Sequence, residues 1–127
     1  MPSVLSSAAP VAFVPSTDLE RSREFYEQVL EIPVAYADNF AVVLQAGDMT
    51  VRVTNVGADL DVQPFTVLGW EVADVHVEIA DLTARGVSFL RVEGVEQDKA
   101  GVWVAPGGTK VAWFKDPEGN TLSLSSR

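Results

Sequence analysis

Few side chains in this chain can do chemistry. His76 is the only histidine and cysteine is absent, so a two-histidine metal site, a thiolate centre and a cysteine nucleophile are excluded. Glu71 lies on an extended run shortly before a helix start, where a carboxylate can meet a cation or act as a general base. His76 falls in the first turn of that helix and reads as a helix-surface residue. Ser123 has no basic partner in sequence to activate it. Gly107-Gly108 beside Pro106 lacks the spacing of a phosphate loop and precedes no helix, so it reads as a hairpin turn. No S-x-x-K or G-x-S-x-G motif is present. Trp103, Trp113 and Phe114 lie late in the chain, and Phe13 and Phe40 early. Such aromatics either stack a flat ligand or fill a core.

The elements that must position these residues alternate in order. Pro10–Pro15 is a short β-type run. Thr17-Asp18-Leu19-Glu20 reads as a capping box, with Thr17 the cap and Glu20 reaching back, and it opens an amphipathic helix from Asp18 to about Leu30. Pro33 forbids its continuation. Strand-like runs follow at Val34–Ala37, Phe40–Gln45 and Met49–Asn55, separated by the turn residues Asp38-Asn39 and Ala46-Gly47-Asp48. Residues 56–64 read as a linker between module 10–55 and module 65–125. The order then restarts: strand Phe65–Val72, a helix capped by Asp74 and ended by Gly86, and strand Val87–Val92. Strands Val102–Ala105, Thr109–Lys115 and Thr121–Ser125 complete it, the last after the turn Asp116–Asn120.

An offset of 56 lays Val11, Asp18 and Leu19 on Val67, Asp74 and Val75, and an offset of 72 lays Gly47 on Gly119 and Val51 on Ser123. The chain is therefore read as a tandem β-α-β-β-β repeat. Neither half is large enough to bury much core alone, so the two sheets are expected to share one interior within a single domain.

Composition narrows the function classes. The chain has 127 residues, 47% hydrophobic and 21% charged, which is globular rather than disordered. No apolar run approaches the roughly 20 residues of a membrane span. Met1–Pro10 lacks the basic start and apolar centre of a secretory signal, and the absence of cysteine suits a reducing cytosol. Nine basic against eighteen acidic residues give a net charge of −9. No Lys/Arg cluster is available for a phosphate backbone, so nucleic acid is not an expected partner. The acidic balance keeps a small protein soluble and favours the approach of a cation.

Two motifs carry a family resemblance. Thr17-Asp18-Leu19-Glu20-Arg21-Ser22 with Phe25-Tyr26 and Val29-Leu30, and Phe114-Lys115-Asp116-Pro117-Glu118-Gly119-Asn120, resemble the helix and the final turn of the vicinal oxygen chelate superfamily. That group includes glyoxalase I, extradiol dioxygenases, and fosfomycin- and bleomycin-resistance proteins. The resemblance implies an α+β fold of two βαβββ modules forming a curved-sheet cup around one site. It also implies metal ligands on the first and last strands of each module. Those positions fall here on Val11, Val51, Val67 and Ser123, which cannot hold a divalent cation. No metal and no cofactor is therefore expected.

What remains resembles the metal-free branch, whose members bind a drug without changing it. If the former ligand positions face the cup, then Val11, Phe13 and Pro15 share that side, as do Val67, Gly69 and Glu71, and Thr121, Ser123 and Ser125, while Leu68 and Trp70 face the helices. Of these, Val11, Phe13, Val67, Glu71 and Ser123, together with Phe40, Val51, Trp103 and Trp113, form the expected ligand-binding set. The expected function is metal-independent binding of a small aromatic or cationic molecule by a cytoplasmic homodimer. The competing readings are a metal-free isomerase or lyase with Glu71 as base, and an enzyme with an unconventional metal site.

Overall fold

A computed structural model describes residues 4–127; the first three residues of the Met1–Pro10 segment lie outside the described part. The chain divides between Asp61 and Val62 into two compact units, within the stretch read as a linker.

The first unit contains β1 (Val11–Ser16), α1 (Leu19–Arg23), β2 (Val34–Ala37), β3 (Ala41–Ala46) and β4 (Met49–Asn55). Its sheet has the order β1-β4-β3-β2. β1 and β4 are parallel and the other pairs antiparallel, as a crossover followed by two hairpins requires. The N-cap of α1 is Asp18 rather than Thr17: its extended backbone lets the carboxylate accept from Arg21 N at 3.1 Å. The helix does not stay α-helical to Leu30. It widens into a π turn over Glu24–Val29, with Leu30 N donating to Phe25 O, and this turn holds the fully buried Tyr26. Glu31, at φ 58°, then reverses the chain before Pro33. The β2–β3 turn is set by Asp38, whose carboxylate accepts from Phe40 N and Ala41 N. Those two donors hold its pKa below the ordinary carboxylate value.

The second unit repeats the plan with β5 (Thr66–Glu71), α2 (Val75–Ala84), β6 (Trp103–Val104), β7 (Lys110–Lys115) and β8 (Thr121–Ser126), in the order β5-β8-β7-β6. Asp74 caps α2 as expected, accepting from His76 N and Val77 N, and Gly86 ends it at φ 95°. The expected strand Val87–Val92 does not form. Its backbone pairs with β7 through the Phe89–Phe114 bridge and Leu90 N donating to Trp113 O at 2.8 Å. β6 occupies the other end of the same edge, opposite Lys110 and Val111. Two short segments thus share one edge, which leaves neither room to grow.

Each sheet buries the face beneath its helix. In the first unit Val14, Leu44, Val51 and Val53 are at most 1% exposed, and Ser16 Oγ meets Ser22 Oγ of α1 at 2.7 Å. In the second, Ala112, Phe114 and Leu122 are fully buried, Trp70 stacks on Phe114, and Ser126 Oγ accepts from Val75 N. Burying a side chain of this size contributes about 1.5–3 kcal/mol.

Candidate binding cleft in the second module

Strand alternation away from these cores decides which side chains occupy the open faces. On β7, Ala112 and Phe114 are buried, so Val111, Trp113 and Lys115 stand on the opposite side. Trp113 pairs with Ser123 and Trp103 with Val111, which puts both tryptophans on that open face. Their rings stack with centroids 6.0 Å apart and an interplanar angle of 25°. Across the sheet from Trp113 the row continues as Ser123 and then Gly69. A Cβ at Gly69 would come 2.3 Å from Ser123 Oγ, so glycine keeps the floor beside the indoles low.

The tryptophans form one side of a cleft of about 700 Å³, within the usual range for small-molecule sites. Phe65, Leu90, Val92 and Val95 supply further apolar wall. Thr66 and Thr121 add hydroxyls, and Arg91 and Lys115 add the only charges, both positive. The wall on the Val92–Val95 side is held by Gln97. Its Nε2 donates to Leu90 O and Gly101 O at 3.0 and 2.7 Å, while its Oε1 accepts from Val92 N at 2.7 Å. Arg91 is itself tied down, donating to Asp98 O and Lys99 O at 2.5 Å each.

Asp98 secures the rest of this loop. Its carboxylate accepts from Ala100 N and Val102 N and meets His76 Nε2 at 2.6 Å. The histidine contact, then the two backbone donors, hold the Asp98 pKa below the ordinary carboxylate value. A lowered carboxylate pKa contributes stability that is present above the unfolded value and lost as pH falls through the folded one. Asp98→Asn will therefore lower the melting temperature at pH 5, and that difference will shrink as pH is taken below about 4. Thermal melts of both proteins across that range check it.

The sequence-predicted site residues divide between the two units. Trp103 and Trp113 line the cleft. Ser123 and Glu71 share its sheet face, and Val67 is the extra residue of a bulge between Thr66 and Leu68, but none of the three lines the cleft. Glu71 is 66% exposed and faces Arg127 Nε at 3.6 Å; it ends a strand in solvent rather than meeting a ligand in the cleft. The charge expected of the site is thus reversed: its lining is cationic, with no acid among its residues.

In the first unit, Val11 and Phe13 lie on the open face, 49% and 64% exposed. Phe40, 75% exposed, precedes β3 rather than lying on it. Val51 does not belong to the open face: it is 1% exposed, pairs with Ala12 and Leu44, and packs on the helix side. The residue paired with Phe13 is Arg52, just as Ser123 pairs with Gly69. The repeat offset over these strands is therefore 71 rather than 72, and a one-residue slip moves every side chain to the other face. Arg52 donates to Tyr36 Oη at 2.8 Å. Valine, arginine and serine at the matched positions do not suit a divalent cation, and among the described residues no three His, Asp or Glu side chains converge.

Thr121, expected on the cup face of the last strand, lines the cleft; Arg91, Lys115, Phe65 and Gln97 are residues the sequence reading misses. Lys115 follows from the face of Trp113 once the β7–β8 register is known; the loop contacts of Gln97 have no local signal in sequence.

The same architecture recurs in solved structures. A glyoxalase/bleomycin resistance protein/dioxygenase superfamily member from Sphaerobacter thermophilus superposes with a TM-score of 0.74 at 19% identity, covering 98% of this chain and 100% of its own. An integron cassette protein from the mobile metagenome of the Halifax Harbour sewage outfall gives 0.70 at 19%, covering 95% and 99%. Lactoylglutathione lyase from Agrobacterium tumefaciens gives 0.69 at 14%, covering 94% and 93%. No functionally curated protein matches the sequence significantly. The family model for the Glyoxalase/Bleomycin resistance protein/Dioxygenase superfamily matches residues 8–124. With that match spanning nearly the whole chain, and with two β-α-β-β-β modules in the repeat its motifs implied, the protein belongs to this superfamily.

Proposed function

We propose that the protein binds a small organic molecule with a planar ring in the second-module cleft and releases it unchanged, as a sequestering or carrier protein. The observation that carries this reading is the stacked Trp103–Trp113 pair on the wall of a cleft of about 700 Å³. Burial of a ring against two indoles combines apolar transfer with favourable offset stacking. A general base has to reach a substrate proton, and the cleft lining holds no carboxylate or imidazole. Glu71 stands outside it in an exposed ion pair, so the reading of Glu71 as a base gains no support from its placement. The donor set at the matched strand positions does not fit a metal.

The experiment is equilibrium binding of naphthalene-sized compounds by calorimetry, followed by recovery of the compound. Micromolar, saturable binding with intact recovery is expected. Multiple turnovers to a new compound, or no binding by any ring compound, would overturn the reading.

We place the protein in the cytosol as a homodimer. No helix of the described residues is long and apolar enough to cross a membrane. Phe13, Phe40 and Tyr36 leave 64%, 75% and 53% of their surface exposed, an apolar area that pairing of two copies would cover. Light scattering at micromolar concentration will give twice the 13.7 kDa chain mass; a value near one chain mass would refute the dimer.

A further inference from the structure

Resting on the cleft as a ring-binding site, we infer that its ligand class is the aromatic carboxylates, with the ring on the Trp103–Trp113 wall and the carboxylate at Lys115 and Thr121. Three observations carry this. The cleft lining holds two cations and no acid, so the charges lining the site are opposite in sign to the chain's net −9. Lys115 is directly opposite Thr121 in the β7–β8 ladder and forms no ion pair among the described residues. Thr121 is only 7% exposed, lines the cleft, and its hydroxyl makes no hydrogen bond among the described residues. An ammonium and a hydroxyl side by side, both without partners, match the two oxygens of a carboxylate.

The alternatives by charge fit less well. A cationic ring would meet Arg91 and Lys115 with no counter-charge. A phosphate ester, carrying nearly two charges, would call on a second free cation, but the Arg91 guanidinium already donates to Asp98 O and Lys99 O. A monoanion needs one. Lys115 sits two residues from Trp113 on the same face of β7, so ring and carboxylate are addressed by adjacent positions of one strand.

The test is calorimetry with three compounds of one shape: 2-naphthoate, 2-naphthylmethanol and 2-naphthylmethylammonium. The carboxylate will bind about tenfold tighter than the alcohol, the usual scale for a hydrogen-bonded charge contact at a partly exposed site, and the ammonium weakest. Lys115→Gln will abolish the preference, bringing carboxylate affinity down to that of the alcohol measured on the same variant, and Lys115→Arg will restore most of it. Lys115 is exposed, so these variants keep the fold. Equal affinity for carboxylate and alcohol in the native protein, or an unchanged preference in Lys115→Gln, overturns the carboxylate assignment while the ring site stands. Failure of all three compounds to bind overturns both.

Discussion

Replacing Trp113 by alanine will weaken binding of a naphthalene-sized ligand by roughly a hundredfold, about 3 kcal/mol, the sum of lost apolar burial and lost ring stacking. Trp113 occupies the middle of β7 with its ring on the cleft side and its stacking partner, Trp103, at 6.0 Å. Its removal also frees Trp103 from that contact, so both indoles lose their set positions. The fold will survive, because the buried face of the same strand, Ala112 and Phe114, is untouched. Trp70→Phe, on the helix side against Phe114, will by contrast leave affinity within a factor of about two while lowering stability. Parallel calorimetry and chemical denaturation on the two variants separate these effects. Equal loss of affinity in both would place the ligand elsewhere.

Asp116→Ala will cost about 3 kcal/mol of folding stability. Asp116 is 6% exposed and organises the turn into β8. Its Oδ1 accepts from Glu118 N and Asn120 N at 3.0 and 2.9 Å, and its Oδ2 from Asn120 Nδ2 at 2.9 Å. Truncation strands these donors in a buried turn, at about 1–3 kcal/mol for each that finds no water. Gly119, at φ 92°, completes the reversal where a side chain would be strained. Asp116→Asn keeps one acceptor oxygen and will recover part of the loss. Urea denaturation giving less than about 1 kcal/mol for the alanine variant would show that this turn does not anchor β8.

The helix caps and turns were legible in sequence because each rests on local chemistry. Asp74 and the Asp116–Asn120 turn form as read, and Asp18 caps one position from the expected Thr17, its carboxylate accepting from Arg21 N of α1. The tandem order was legible for the same reason. Register was not: laying Val51 on Ser123 is wrong by a single residue, and that residue exchanges a core valine for the open-face Arg52. The loop between Leu90 and Trp103 was also opaque. Its shape depends on Gln97 and Asp98 reaching backbone groups several residues away, and the place of Arg91 in the lining follows from that shape. Trp103 and Trp113 were visible as residues of the right type, but only the pairing with Val111 and Ser123 assigns them to the open face.

The central claim is that one cleft of the second module, walled by two of the three tryptophans, receives the ligand. Its most direct test is nuclear magnetic resonance of the indole N–H groups during titration with 2-naphthoate, with the compound analysed afterwards. Trp103 and Trp113 will shift saturably on a common binding curve, Trp70 will stay in place, and the naphthoate will be recovered intact. Saturable shifts confined to the first unit, around Phe13 and Tyr36, or movement of Trp70 with Trp103 and Trp113 unmoved, would contradict the account.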